Sequence, residues 1–186
     1  MTGSQLRLTA PLTAEHTLRL HAGDRVLIEG TLYVARDAAH KRLAAALAEG
    51  RPLPFDPAGQ ILYYMGPTPA RPGHAIGAAG PTTSYRMDPY TEPLLRAGIK
   101  GLIGKGERSE GVYRALREHK AVYLIAIGGA GALIAQSVRH AEVIAYPELG
   151  PEALRRLDVI DLPAIVGYDV YGQDIYRIGR AHYRRQ

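Results

Sequence analysis

Cysteine is absent from this sequence, which excludes disulfides, thiolate zinc sites and any iron–sulfur cluster held by the chain itself. Tryptophan is absent as well, and phenylalanine occurs once. Without interleaved basic and aromatic residues there is no recognisable nucleic-acid module, so no nucleic-acid partner is expected. Asparagine is missing and arginine far outnumbers lysine, a bias that fits either a thermophilic source or GC-rich coding. No N-terminal stretch joins basic residues to an apolar run and a small-residue cleavage site, so the expectation is a cytoplasmic protein. One uncharged run, "AVYLIAIGGAGALIAQSV" from Ala121 to Val138, just reaches membrane-span length. Three glycines break it in the middle, so it reads as a buried strand turning into a helix, and no membrane partner is expected.

What is present is enough apolar content, 46% of 186 residues, to bury one sizeable core, and a single domain over residues 1–186 is expected. The net charge of +5 suits small dianions as well as polyanions, and part of it sits in the tail "RIGRAHYRRQ". Early segments "TLRLH" and "RVLIEGTLYVA" read as strands flanking the turn "AGD". Asp37 stands where an N-cap should, ahead of an alanine- and leucine-rich helix closed by Gly50. "ILYYMGP", "IKGLIG", "AVYLIAI" and "AEVIAYPE" read as strands. Asp88-Pro89 marks a second helix start, and "SEGVYRALREHK" and "GALIAQSVRH" read as further helices. "PEALRRLD" is expected to be a short helix and "AIVGYDVYGQDIYRI" a hairpin turning at Tyr171-Gly172. Strands alternating with helices in this order predict an α/β fold with a mixed sheet.

Two glycine clusters invite nucleotide readings and neither holds. From Gly98 to Gly104 the spacing is one too long for a P-loop, and Gly106 follows Lys105 where a magnesium-binding hydroxyl is needed. Counted from Gly129, the third glycine of a dinucleotide fingerprint is Ile134; close packing of helix on strand is the better use of that cluster. The seven histidines show no paired metal-ligand spacing.

More informative is "GPTTSYRMDPY", Gly80 to Tyr90, at the end of a Pro- and Gly-rich stretch from Pro67 to Pro81 too irregular for a regular element. A long loop of this kind inside a domain is usually functional or disordered. Thr82, Thr83 and Arg86 are the parts of an anion grip: two hydroxyls and a guanidinium able to take a carboxylate bidentately. Lys105, between two glycines after a strand, can project into a cleft or remain an exposed turn lysine. Arg36, at a helix start, can meet an anion shared with the helix's free N–H groups or remain a surface arginine. Three cations, two hydroxyls and no complete catalytic set suggest half of a small-dicarboxylate site.

"GPTTSYRMD" with "RDAAHKR" upstream, "IGKGE" and "GGAGAL" downstream, and "DLPAIVGYDVYGQDIY" near the end resembles the β subunit, or C-terminal domain, of the iron–sulfur class I fumarases and related L-tartrate dehydratases, from about Gly23 to Tyr176. The resemblance implies a swivelling β/β/α domain. It also implies a separate cluster-bearing α subunit holding a four-iron four-sulfur cluster on three cysteines, with one iron open to substrate as a Lewis acid. It carries substrate-carboxylate contacts to Arg36, Thr82, Arg86 and Lys105 and the catalytic base to Thr83. Tyr85 departs from the pattern, standing where a small residue is common. The implied activity is hydration of fumarate to L-malate by a two-subunit hydro-lyase whose β chain is inactive alone and dimerises. L-tartrate dehydration is the alternative substrate reading, and a non-catalytic small-anion-binding module the alternative of another class.

Overall fold

The computed structural model describes residues 5–184. Seven strands form one sheet: β1 (Leu6–Ala10), β2 (Arg25–Val34), β3 (Ile61–Tyr63), β4 (Gly101–Gly104), β5 (Val122–Ile125), β6 (Val138–Ala145) and β7 (Leu154–Tyr168). Their order is β1-β2-β3-β4-β5-β7-β6, with a second pairing of β2 to β7. The first five strands run parallel, whereas β7 is antiparallel to β2, β5 and β6. The mixed α/β sheet expected from the sequence is therefore present. Because β7 pairs with β2 along one edge (Arg25 opposite Ile165, Val34 opposite Arg155) and with β5 along the other (Ile125 opposite Ile165), strands β2, β3, β4, β5 and β7 close into a ring.

The parallel strands β3 and β4 are buried at every position, as strands covered on both faces must be. Alternation sorts them into two cores. Ile61, Tyr63 and Ile103 pack with Val26, Ile28, Val122 and Leu157 in one cluster. Leu62, Tyr64 and Leu102 point the other way, to helices α2 (Asp37–Ala48), α3 (Asp88–Arg96) and α4 (Glu110–Glu118), through Leu43, Leu94 and Leu116. Gly50 and Gly98 follow the C-caps of α2 and α3 with positive φ, the role the sequence assigns to Gly50. The uncharged run divides into β5 and a five-residue helix α5 (Gly131–Ala135). Among the described residues no helix is long and apolar enough to cross a membrane.

Several elements differ from expectation. "TLRLH" is not a strand: Ala14–Leu18 is a short helix, α1, whose N-cap Thr13 forms a capping box with His16. "PEALRRLD" is not a helix either. Pro147–Glu152 is a 3-10 turn, and Leu154 begins the 15-residue β7. Leu154 and Leu157, three apart, suggest a helix face, but they enter opposite core clusters, one on each side of the sheet. The final hairpin is replaced by a turn and a helix, α6 (Ile175–Tyr183). Asp169 builds the turn by accepting from the N–H groups of Tyr171 and Gln173, and Asp174 caps the helix through those of Tyr176 and Arg177. Asp37 and Asp88 are each the first helical residue rather than the cap, and their carboxylates bond to other elements instead.

Candidate active site

The carboxyl ends of four adjacent parallel strands meet at one face, the usual binding edge of such sheets. Arg36 lies two residues past β2, and Lys105 follows β4 directly. The long Pro67–Pro81 loop returns to the end of β3: Pro81 bridges Met65, and Thr82 donates to the Tyr64 carbonyl oxygen from its N–H at 2.7 Å and its hydroxyl at 2.9 Å. Thr83 then pairs in parallel with Lys105. After β5, Gly128 lies so near Lys105 that a Cβ there would sit 3.7 Å from the ammonium nitrogen. All five residues singled out from the sequence thus lie on one edge of the sheet.

The Thr83–Lys105 pair is fixed from beneath. Ser84 N–H donates to the Lys105 carbonyl oxygen (3.0 Å), and Lys105 N–H donates to Ser84 Oγ (3.0 Å). Tyr123 Oη donates to the Gly106 carbonyl oxygen (2.8 Å) and lies 2.9 Å from Ser84 Oγ. With the Tyr123 proton used on Gly106, the Ser84 hydroxyl is the donor of that contact. Gly104 is obligatory here, since a Cβ would stand 1.9 Å from Ser84 Oγ. Gly131 also meets Gly80 closely, with a Cβ 2.9 Å from the Gly80 nitrogen, so the "GGAGAL" segment is used for close packing. Burial raises the Tyr123 pKa and keeps its phenol neutral. Among the described residues, the Thr83 hydroxyl and the Lys105 ammonium have no hydrogen-bond partner.

The two arginines are engaged with the chain's own carboxylates. Arg86 Nε forms an ion pair with Asp37 Oδ1 at 2.8 Å. Arg36 Nη2 lies 3.7 Å from Asp37 Oδ2 and 3.3 Å from Glu152 Oε1. Glu152 also accepts from the Ala38 N–H at 3.0 Å, capping α2, which no residue of its own caps by side chain. The result is an alternating chain, Glu152–Arg36–Asp37–Arg86. Arg36 Nε and Asp37 Oδ2 are buried without hydrogen-bond partners. Arg86 remains 46% exposed at the side chain, so the face is open. The cavity of about 680 Å³ at α6, lined by Arg177, Arg180, Ala181, Tyr183 and Arg184, lies on other residues and takes no part in it.

Sequence reasoning missed four supporting residues, Glu152, Ser84, Tyr123 and His40. His40 is fully buried one turn after Arg36. Its Nδ1–H must donate to the Arg36 carbonyl oxygen at 2.9 Å, since a carbonyl can only accept. Burial lowers its pKa to about 4, so the ring is neutral at physiological pH. The signal for Ser84, the serine inside "TTSYR", is visible only once Gly104 and Tyr123 are seen beside it. Among the described residues no group of three or more His, Asp or Glu side chains could hold a metal ion. With no cysteine in the chain, these residues do not fit an iron–sulfur cluster; they fit an anion.

Residues 2–179 match the family described as Fumarase C-terminus. The chain belongs to that family. Its relatives include fumarate hydratase 2 of Leishmania major, 40% identical over 156 residues, and the anaerobic class I fumarate hydratase of Escherichia coli, 39% identical over 155 residues. These alignments take in 83% and 82% of the chain and 28% of each relative, so the chain spans less than a third of the length of those fumarate hydratases. A protein of Methanocaldococcus jannaschii described as a putative L(+)-tartrate dehydratase subunit beta is 35% identical over 171 residues, 89% of this chain and 88% of that protein. The chain is thus similar both to a part of longer proteins described as fumarate hydratases and to nearly the whole of a shorter one described as a putative tartrate dehydratase β subunit.

Proposed function

We propose that this chain is the β subunit of a two-subunit iron–sulfur hydro-lyase, most readily a fumarate hydratase interconverting fumarate and L-malate in the cytoplasm. The observation that carries the reading is the gathering of Arg36, Arg86, Lys105 and Thr83 at one strand edge. Three cations on an open face suit a dicarboxylate, and among the described residues no further group completes the chemistry. The family match, and relatives whose names state fumarate hydratase, support the same reading. The similarity to the archaeal tartrate dehydratase subunit, over 88% of its length, supports L-tartrate as the second substrate reading. The four-iron four-sulfur cluster belongs to a partner α subunit, because this chain has no cysteine to hold it.

This chain's residues bind and orient. Arg36 and Arg86 take one carboxylate of the substrate and Lys105 the other, which fixes the carbon between them relative to Thr83. In the dehydration direction, the Thr83 oxygen takes the proton from the carbon beside a carboxylate. The negative charge that grows on that carboxylate is stabilised by the cations already in place. An alkanol is a poor base, and the charge of Lys105, the residue paired with Thr83, favours its ionised form. Thr82, with its proton committed to Tyr64, contributes an acceptor and a fixed backbone.

The test is anaerobic co-expression with a cysteine-bearing α chain, followed by assay of fumarate hydration and L-tartrate dehydration. Turnover is expected in the complex and not in the isolated chain. Thr83→Ala is expected to lower kcat by a hundredfold or more, of the order general-base catalysis supplies, with KM little changed, whereas Thr82→Ala should mainly alter KM. Near-full turnover by Thr83→Ala would remove it from the base role. Turnover of tartrate alone would keep the mechanism and change the substrate. Absence of any complex with a loaded cluster would leave an anion-binding module.

A further inference from the structure

We propose that Asp37 is the positioning residue of the dicarboxylate grip, orienting Arg86 and setting the net charge that the substrate meets; the proposal rests on the function given above. A guanidinium has two edges on which a carboxylate can dock, one of them including Nε. Asp37 Oδ1 takes Nε of Arg86 at 2.8 Å. The edge formed by the two terminal nitrogens is then the one left for a substrate. Arg86 needs this support, because it projects from a 3-10 turn (Ser84–Met87) and is 46% exposed; the long side chain would otherwise sample many rotamers. Asp37 is itself well placed to be firm. It is the first residue of α2, where a carboxylate is favoured by the helix dipole, and its second oxygen faces Arg36 at 3.7 Å.

The same carboxylate has an electrostatic consequence. Glu152 and Asp37 offset the charges of Arg36 and Arg86, so of the three cations only Lys105 adds uncompensated charge. The two arginines therefore act as directed hydrogen-bond donors more than as a positive field. A site of modest net charge binds a dianion less tightly than the bare cation count suggests, and releases it more readily. Replacing Asp37 by asparagine keeps the acceptor for Arg86 Nε and removes only the charge. Replacing it by alanine removes both.

The two variants separate these roles when the assembled α–β complex is titrated with succinate, a dicarboxylate that cannot be dehydrated or hydrated, at low and high salt. With Asp37→Asn, succinate is expected to bind about threefold tighter at low salt. That is the factor for removing one unit charge a few ångströms from the ligand in a water-like dielectric, and salt should erode it. With Asp37→Ala, the same gain is opposed by the loss of the ion pair that orients Arg86, about tenfold for a charged contact, so binding is expected to be about threefold weaker at low salt and to approach tenfold weaker as salt screens the charge effect. Equal weakening by both variants, or no change in either while Arg86→Ala abolishes binding, would overturn the role of Asp37 and leave the grip intact. Succinate binding that survives Arg86→Ala, or no succinate binding by the unaltered complex, would overturn the grip itself. Thermal midpoints of all variants, read alongside, identify any loss that comes from unfolding.

Discussion

Two arginine networks lie within one turn of each other in this molecule and are built to opposite specifications. Arg108 has a fully buried side chain with each of its three nitrogens bonded: Nε to Asp88 at 2.7 Å, Nη2 to Thr91 at 2.8 Å, Nη1 to Tyr64 at 3.3 Å. Its guanidinium also lies about 5 Å from the Tyr64 and Tyr123 ring centres. Burial by itself would lower its pKa, but Tyr64 and Asp88 outweigh burial and raise it. Arg36 and Arg86, in contrast, are partly exposed, and the buried Nε of Arg36 has no partner. A saturated guanidinium holds the fold together, whereas an unsaturated one at a strand edge is available to a ligand. The fourth arginine-linked group, His40, belongs to both networks: its imidazole holds the Arg36 backbone, and its ring meets Tyr64 edge-on at 5.0 Å.

The largest expected effect breaks the saturated network. Arg108→Ala leaves the Asp88 carboxylate, whose side chain is only 12% exposed, without its counter-ion. Removing one partner of a buried pair typically costs about 3–5 kcal/mol, which urea titration of the chain would measure. Arg86→Ala should change stability by less than about 0.5 kcal/mol, as for an exposed pair. If the two substitutions cost the same, the distinction between structural and ligand-ready arginines fails. The next effect is a pH dependence centred on His40. Its pKa in the folded chain is about 4, below the ordinary 6.5, so the unfolded chain binds the extra proton first. The stability contributed by the neutral ring is complete above pH 6.5, falls as the pH drops toward 4, and is fully lost below that. At about 1.4 kcal/mol per unit the full loss is roughly 3–4 kcal/mol. His40→Gln should flatten this part of the stability–pH curve; an unchanged slope would show that other groups carry it.

Much of this arrangement was legible in the sequence. β3, β4 and β5 announce themselves by continuous apolar runs because they are covered on both faces, β2 by its alternation, and helices α2 and α3 by the acidic residues that open them and the glycines that follow them. The misread segments have two causes. In β7, Leu154 and Leu157 serve opposite sides of the sheet, and burial on both faces erases the period-two pattern that would identify a strand. In α1 and α6 the deciding signals are single side chains, Thr13 and Asp174, easily outweighed by neighbouring β-formers such as Ile175 and Tyr176. The site residues were legible as chemical types, but not their state of pairing. Nothing in "RDAAH" announces that Arg36 meets Glu152, 116 positions later, because that pairing exists only through β7 returning beside β2.

A smaller effect than that of Arg108→Ala is expected at the residue that joins the Arg108 network to the support of the Thr83–Lys105 pair. Tyr123 presents its ring to Arg108 and its hydroxyl to Ser84 and Gly106. Tyr123→Phe keeps the ring over the guanidinium and removes only the hydroxyl, leaving the Gly106 carbonyl and the Ser84 hydroxyl each short of a partner. Unfilled buried groups of this kind cost about 1–2 kcal/mol, well below the loss expected for Arg108→Ala. Because the lost bonds lie under the Thr83–Lys105 pair, the variant should also lower kcat in the assembled complex more than it raises KM. The strand-edge backbone would be free to drift by a fraction of an ångström while the cations that bind substrate remain. A variant with the expected small loss of stability and an unchanged kcat would mean that Ser84 and the backbone bridge alone fix Thr83. A loss of stability as large as that of Arg108→Ala would mean that the two networks are one.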